Sequence, residues 1–366
     1  MQRVSLVLVL LLGSHTLGIF LAGPVWHHTK ARTPNGDDLV WDSFWNVGNV
    51  TVGKKEQQRF STSFDTAENI DGSSITWFNG YSGSGKSLGR SKNITYADGT
   101  WVHGPMYRDD IDFDGFIAKD VDFVATSPDS MSGPWGTNAG LIGMAYSTKS
   151  SKAPGFFERL IQQNSVAVPE FSVFNARYDS EQSQLMLGGR DSTKFTGDLV
   201  TTPVVQEGGW NIYVDGCSVN GTMLSEVMNQ SSSIALVDTG TELLYVPTAV
   251  GDAIFAAIPN AQAGALSDDG GYKNYTYPCD TPPELMPNFL ISSVPLTIVP
   301  EDFYLRVADD DDSRCLSTLM GSNAWTFGEV FMKSFYTIFT WGELTKGNNI
   351  GKAAAVNFAT AVQQSA

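Results

Sequence analysis

A mostly β fold is what this sequence of 366 residues predicts. One observation is composition: 36 Gly and 16 Pro punctuate short runs rich in Val, Thr, Ser, Phe and Tyr, as strands joined by tight turns require. A second is the scarcity of helical periodicity, which is confined to two short stretches, residues 156–165 and 247–261. The third is a repeated order of events. An apolar strand ends in Asp-Thr at Asp65 and again at Asp238, and each is followed later by an apolar-apolar-Gly segment, LIGMAY (residues 141–146) and WTFGEVF (residues 325–331). Such recurrence is what a duplicated lobe leaves behind. With 42 % hydrophobic and only 17 % charged residues, the chain is long enough for two lobes with their own cores.

Taken in order, the chain opens with Arg3 and an apolar run from Val4 to Leu12, followed by small residues. The run is too short to span a bilayer, so residues 1–22 are expected to be a signal peptide. Thr16 and Gly18 suit a cleavage site, and a cut near Ala22 or Gly23 is equally compatible. Residues 23–40 are polar and rich in turn formers, and are expected to be a linker or short pro-segment. Closely spaced strand patterns then fill residues 41–198, the expected N-terminal β lobe. The second series, from DLVTTPVV and NIYVDGCSVNG onward, fills residues 199–354, the expected C-terminal β lobe, and residues 355–366 are expected to be a tail. That end carries no hydrophobic run, which argues against a lipid anchor. Five N-x-S/T sequons, at Asn49, Asn93, Asn220, Asn229 and Asn274, are compatible with a secreted glycoprotein.

Three Cys in a secretory chain point to one disulfide and one spare thiol. Cys279 and Cys315 share the C-terminal third and are expected to pair. Cys217 occupies an alternating strand position and reads as a buried apolar thiol.

A net charge of −16 and a sequence pI near 4.5 argue against nucleic acid, whose binding needs a clustered positive footprint. The same balance suits an acidic environment, and equally a solvated acidic surface. The four His fall in the signal peptide, the linker and one strand, so no metal constellation and no cofactor is expected.

The chemistry is concentrated in the two Asp-Thr loops. An Asp at the end of a buried strand, followed by Thr and Gly, presents a carboxylate on a tight turn whose backbone N–H groups can bond it. Two such loops facing each other set Asp65 beside Asp238. Like charges that close cannot both ionise easily, so a proton is shared. One carboxylate can then act as general base on a trapped water while the protonated partner polarises a carbonyl.

Over residues 40–352 the sequence resembles the pepsin-like aspartic proteases. SIALVDTGTELLYVP is similar to the family's second active-site motif, and VGNVTVGKKEQQRFSTSFDT to the strands leading to its first. ITYADGTWVHG resembles the flap hairpin, and GLIGMAYS the segment that supports the first catalytic loop. LMLGGRDSTKFTGDLVTTPV resembles the connection between lobes. WTFGEVFMKSFYTIFTWG resembles the closing segment, with Glu329 and Thr340 at the places of its two Asp residues. The resemblance implies two similar β lobes with a central cleft, and a shared proton is the established behaviour of the dyads of this class. It further implies catalytic Asp65 and Asp238, with Thr66 and Thr239 locking the loops and Gly240 and Thr241 hydrogen-bonding Asp238. Tyr96, Asp98 and Gly99 on the flap, with Trp77 behind it, would cover the substrate, and Cys279–Cys315 matches the C-terminal-lobe disulfide. The implied partner is an extended polypeptide held by a monomeric enzyme without a membrane anchor.

The first motif departs from the family's D-T-G-S-S-x-x-W. Here AENID (residues 67–71) separates Phe64-Asp65-Thr66 from Gly72-Ser73-Ser74-Ile75-Thr76-Trp77. Either five residues interrupt the loop, or Ala67 and Glu68 replace Gly and Ser and the extra residues fall later. A third alignment, with Asp71 as the catalytic residue, lacks the Thr and puts the strand out of step. The expected activity is acid-acting, secreted endopeptidase; the alternative is an inactive homologue that keeps the cleft as an extracellular peptide- or protein-binding module.

Overall fold

The computed structural model describes residues 9–10, 30–32, 38–40, 48–53, 58–62, 84–95, 101–113, 115–125, 142–145, 154–177, 183–206, 208–228, 233–266, 271–308, 311–342 and 353–363. Within them strands dominate, as composition predicts, and the helices are short. The two helical stretches appear as Phe156–Gln162 and Thr248–Ala256.

Local chemistry accounts for the turns. Trp101–Phe113 and Phe116–Val124 form an antiparallel pair whose connection contains Gly115, at φ 86°, with its N–H donated to Asp112 Oδ1 at 2.9 Å. Asn220-Gly221 takes positive φ at both residues, 48° and 73°, the geometry that matches the twist of a hairpin, and joins Gly216–Val219 to Thr222–Met223.

The first half of the chain builds a six-stranded sheet in which Phe116–Val124, Trp101–Phe113, Gly48–Val52 and Gln58–Thr62 are successive neighbours. Lys86–Thr95 also pairs with Trp101–Phe113, down to Thr95 opposite Trp101. This is the hairpin whose sequence resembles a flap. Its base is tight: a Cβ on Gly104 would stand 1.7 Å from the Ala125 carbonyl oxygen. Val9–Leu10, inside the expected signal peptide, pairs with Val124 and Phe123 at the sheet's edge.

The second half builds a nine-stranded sheet and a four-stranded sheet. Between the halves lies a five-stranded sheet ordered Gln184–Leu187, Glu170–Phe174, Phe335–Thr340, Ala355–Ala361, Phe195–Pro203. Phe157, Phe171, Trp210, Phe339 and Trp341 form a continuous aromatic cluster over it, with ring centroids 4.7 to 5.7 Å apart. The Trp210 indole N–H is donated to the Met144 carbonyl at 3.2 Å, tying the second half to the LIGMAY segment of the first.

This central sheet bears on two of the expected boundaries, and a separate two-stranded pair bears on a third. Within the expected tail, Ala355–Ala361 is an interior strand, antiparallel to Phe335–Thr340 on one side and Phe195–Pro203 on the other. Its first five residues, Asn357 among them, are all buried, so the run lacks the in-out alternation of a strand with one solvated face. The lobe boundary at 198/199 falls inside the strand Phe195–Pro203. Within residues 23–40, the expected linker or short pro-segment, Lys30–Arg32 pairs with Asp38–Val40.

Cys279 and Cys315 are bonded, with Cα atoms 5.0 Å apart, as expected. Cys217 is fully buried, and burial pushes its thiol up to about 12, so it behaves as an inert apolar group.

Candidate active site

Asp238 stands at the end of Ile234–Val237, a strand fixed on both edges by hydrogen-bonded neighbours. Asn211–Tyr213 runs antiparallel on one side and Trp325–Phe327 parallel on the other. After the Asp loop the chain enters Leu244–Pro247, which pairs with the far edge of Trp325–Phe327. The two strands joined by the loop are therefore not neighbours, and the loop must cross the end of the strand between them. That crossing fixes the loop: the Asp238 N–H is donated to the Phe327 carbonyl at 3.0 Å.

Within the loop the carboxylate is held at both oxygens. Gly240 N–H donates to Oδ1 at 2.9 Å, and Thr241 Oγ1–H donates to Oδ2 at 2.7 Å. Two donors on different oxygens fix the plane of the carboxylate, and each charge-assisted bond contributes more than a neutral one. Asp238 is 8 % exposed and Thr239 3 %, so the Asp reaches the surface only at its rim while Thr239 is inside.

Beneath the loop, Gly328 makes the close approach possible. A Cβ there would stand 2.3 Å from the Leu243 carbonyl oxygen and 2.4 Å from that of Thr241. The helix Glu329–Ser334 then begins directly under the loop, and the loop satisfies its first amides. Glu329 N–H donates to the Thr241 carbonyl at 2.8 Å and Val330 N–H to that of Glu242 at 3.1 Å. The WTFGEVF segment thus supports the loop that carries Asp238.

Of the residues singled out in the sequence, Asp238, Thr239, Gly240 and Thr241 are brought together here. Asp65, Thr66, Trp77, Tyr96, Asp98 and Gly99 lie outside the described residues. Sequence reasoning placed Glu329 in the closing segment without foreseeing its burial under the loop, and missed two further titratable groups there, Glu242 and Lys333, the latter one helical turn beyond Glu329. The signal was present as Glu and Lys four apart in an otherwise apolar closing segment. No group of three or more His, Cys, Asp or Glu among the described residues is arranged to hold a metal ion, and no helix among them is long and apolar enough to cross a membrane.

A carboxylate fixed by a Gly amide and a Thr hydroxyl on a strand-crossing loop is the arrangement the resemblance implied. The family model for eukaryotic aspartyl proteases matches residues 46–355. The chain belongs to this family. An aspartic protease of Phaffia rhodozyma is 30 % identical over 334 residues, covering 86 % of this chain and 77 % of the relative. Rhizopuspepsin-4 of Rhizopus niveus is 29 % identical over 329 residues, 84 % of this chain and 76 % of the relative. A probable vacuolar protease A of Arthroderma benhamiae is 28 % identical over 353 residues, 87 % and 83 % of the two chains. Family membership and the strand-rich sheets agree on the bilobal pepsin-like fold, whose members hydrolyse peptide bonds.

Proposed function

We propose that this protein is a secreted aspartic endopeptidase working at acidic pH, with Asp238 and Asp65 as its two catalytic carboxylates. The observation that carries the reading is the Asp238 loop, in which Gly240 and Thr241 hold the carboxylate from both sides. Asp65, on the other expected lobe, would complete the pair and share one proton with it. The ionised member takes a proton from a bound water as that water attacks the scissile carbonyl, and the protonated member donates to the carbonyl oxygen. Thr66 and Thr239 would brace the loops, and Tyr96, Asp98 and Gly99 would close over an extended peptide against Trp77. Residues 41–198 and 199–354 would form the two lobes, apart from the shared sheet. The apolar start of the chain supports entry to the secretory route, either to the exterior or to an acidic compartment.

A second reading is favoured by one feature, the AENID segment between Thr66 and Gly72. A misplacement of about 1 Å in a preorganised site costs roughly a hundredfold in rate. On this reading the protein binds polypeptide in the cleft without cleaving it.

Hydrolysis of a denatured protein across about pH 2 to 7, a range that brackets carboxylate titration, separates the two. Asp65→Asn, Asp238→Asn and a statine-type transition-state mimic are run alongside. The enzyme reading expects acid activity that the mimic blocks and that both variants lose. Binding of the mimic by folded protein with no turnover at any pH selects the binding module instead.

A further inference from the structure

The five sequons have no part in the reaction just described, and their places in the fold differ. Asn49 lies within Gly48–Val52, a strand with a neighbour on each side. Asn93 lies within Lys86–Thr95, where its Oδ1 is hydrogen-bonded to His103 Nδ1 of the paired strand. Asn274 lies within Lys273–Pro278, and its Oδ1 is packed on Gly264 of the neighbouring strand, where a Cβ would stand 1.8 Å away. Asn229 lies outside the described residues.

Asn220 alone among the described sequons stands in a turn. It takes the first position of the Asn220-Gly221 hairpin at φ 48°, a conformation that Asn tolerates. Asn220, Gly221 and Thr222 are all exposed, and the Asn220 side chain has no hydrogen-bond partner among the described residues. A glycan is bulky and belongs on an exposed loop, and this sequon has such a place. A sugar added to the unfolded chain must also leave the folded chain intact, and a solvent-facing turn residue meets that condition.

The turn stands beside a surface that lacks charge. The four-stranded sheet runs Thr222–Met223, Gly216–Val219, Asn288–Ile291, Val294–Thr297. None of these strands contains a charged residue, in a chain of net charge −16. One face is core, with Val219, Cys217, Phe289 and Leu296 buried. On the other, Met223 stands across from Ser218, Ser218 from Asn288, and Asn288 from Thr297. Met223 is 46 % exposed, and at the far edge Val294 is 41 % exposed. That far edge is blunted by Pro295, which has no N–H to offer another strand. The edge at Thr222–Met223 has neither charge nor proline, and Asn220 sits at its end. Copies of a strongly acidic chain repel one another, and at an uncharged sheet that repulsion has least hold.

We propose that Asn220 carries an N-linked oligosaccharide, and that the sugar screens the uncharged sheet from a second copy of the chain. The donor is a lipid-pyrophosphate-linked oligosaccharide of the secretory route. Its bond from the anomeric carbon to the pyrophosphate oxygen breaks, and Asn220 Nδ2 bonds to that carbon. The amide gives up one proton and the lipid pyrophosphate leaves, with no oxidation or reduction. The proposal rests on the secretory route of the proposed function and is independent of proteolysis.

The full chain is expressed through the secretory route of a yeast host, beside two variants. Thr222→Ala deletes the sequon and keeps the Asn-Gly turn, and Thr222→Ser preserves both. An endoglycosidase trims each glycan to its first sugar, and peptide mass spectrometry reports which Asn retains that sugar. Light scattering across a concentration series reads association of the intact, trimmed and variant chains; the trimmed native chain serves if Thr222→Ala does not fold. We expect the sugar on Asn220 in the native and Ser chains and its loss in the Ala chain. The oligomeric fraction should rise several-fold in the Ala chain and on trimming, and stand at the native level in the Ser chain. A secreted native chain with a bare Asn220 would overturn the proposal, whatever the other sequons carry. A glycosylated Asn220 with association unchanged in the Ala chain would overturn the screening role. A chain left in the cytosol with no sugar at any site would overturn the secretory reading, and the proposal with it.

Discussion

Thr241 carries more of the Asp238 geometry than its place in a turn motif suggests. Its hydroxyl donates to Oδ2 at 2.7 Å, and its carbonyl accepts the Glu329 N–H. Thr241→Val keeps the shape and the carbonyl but deletes the donor. A hydrogen bond to a charged group contributes about 1.5–3 kcal/mol, which converts to a loss of roughly ten- to a hundredfold in kcat/KM. Steady-state kinetics at acidic pH, with melting curves to confirm the fold, check this. A kcat/KM unchanged within about twofold, a difference of under 0.5 kcal/mol, would mean that Gly240 alone positions the carboxylate. At this scale the Asp-Thr-Gly-Thr string was fully legible, because its hydrogen bonds are made between residues two and three apart. Glu329 was not legible as a buried acid, since its burial depends on a loop almost ninety positions earlier in the chain.

Turn chemistry was readable among the elements where it followed a local rule, as at Asn220-Gly221. It was unreadable at Ser292-Ser293, where both residues take positive φ, 50° and 62°, without a glycine. Tertiary contacts hold that turn: Ser293 N–H donates to Asp215 at 2.7 Å and Ser292 Oγ–H to the Thr201 carbonyl at 2.8 Å. The last strand is the larger case. Asn357 in its middle is buried, donating to the Ile338 carbonyl at 3.2 Å and accepting from Thr201 Oγ1 at 2.7 Å, bonds to the strands on either side. Removing residues 355–366 opens the central sheet between Phe335–Thr340 and Phe195–Pro203 and exposes Phe358 and Val356, both fully buried. We expect such a truncation to yield no cooperatively melting protein. A truncated chain that melts within a few degrees of the native one, a shift worth only about 1–2 kcal/mol for a domain of this size, would show that the strand is dispensable.

At the scale of the whole molecule, the aromatic cluster around Trp210 couples the two halves. Trp210 is fully buried, packs on Phe171, Phe339 and Trp341, and bonds Met144 across the halves. Trp210→Ala removes all of these, and a buried Trp replaced by Ala costs about 3–5 kcal/mol. Calorimetry should show a lower melting temperature and a broader or divided transition, as the halves lose their shared core; a single transition at the native temperature would refute the coupling. The sequence by itself determined the β class, the Asp238 loop, the disulfide and the family, because each is written in residue type at short spacing or in motif order along the chain. Tertiary structure decided that residues 355–361 lie inside the shared sheet, that the 198/199 boundary runs through a strand, and that Glu329 is buried beneath the Asp238 loop. The physical reason is common to all three. Burial is a property of what packs against a residue, and in each case one packing partner lies more than eighty positions away along the chain.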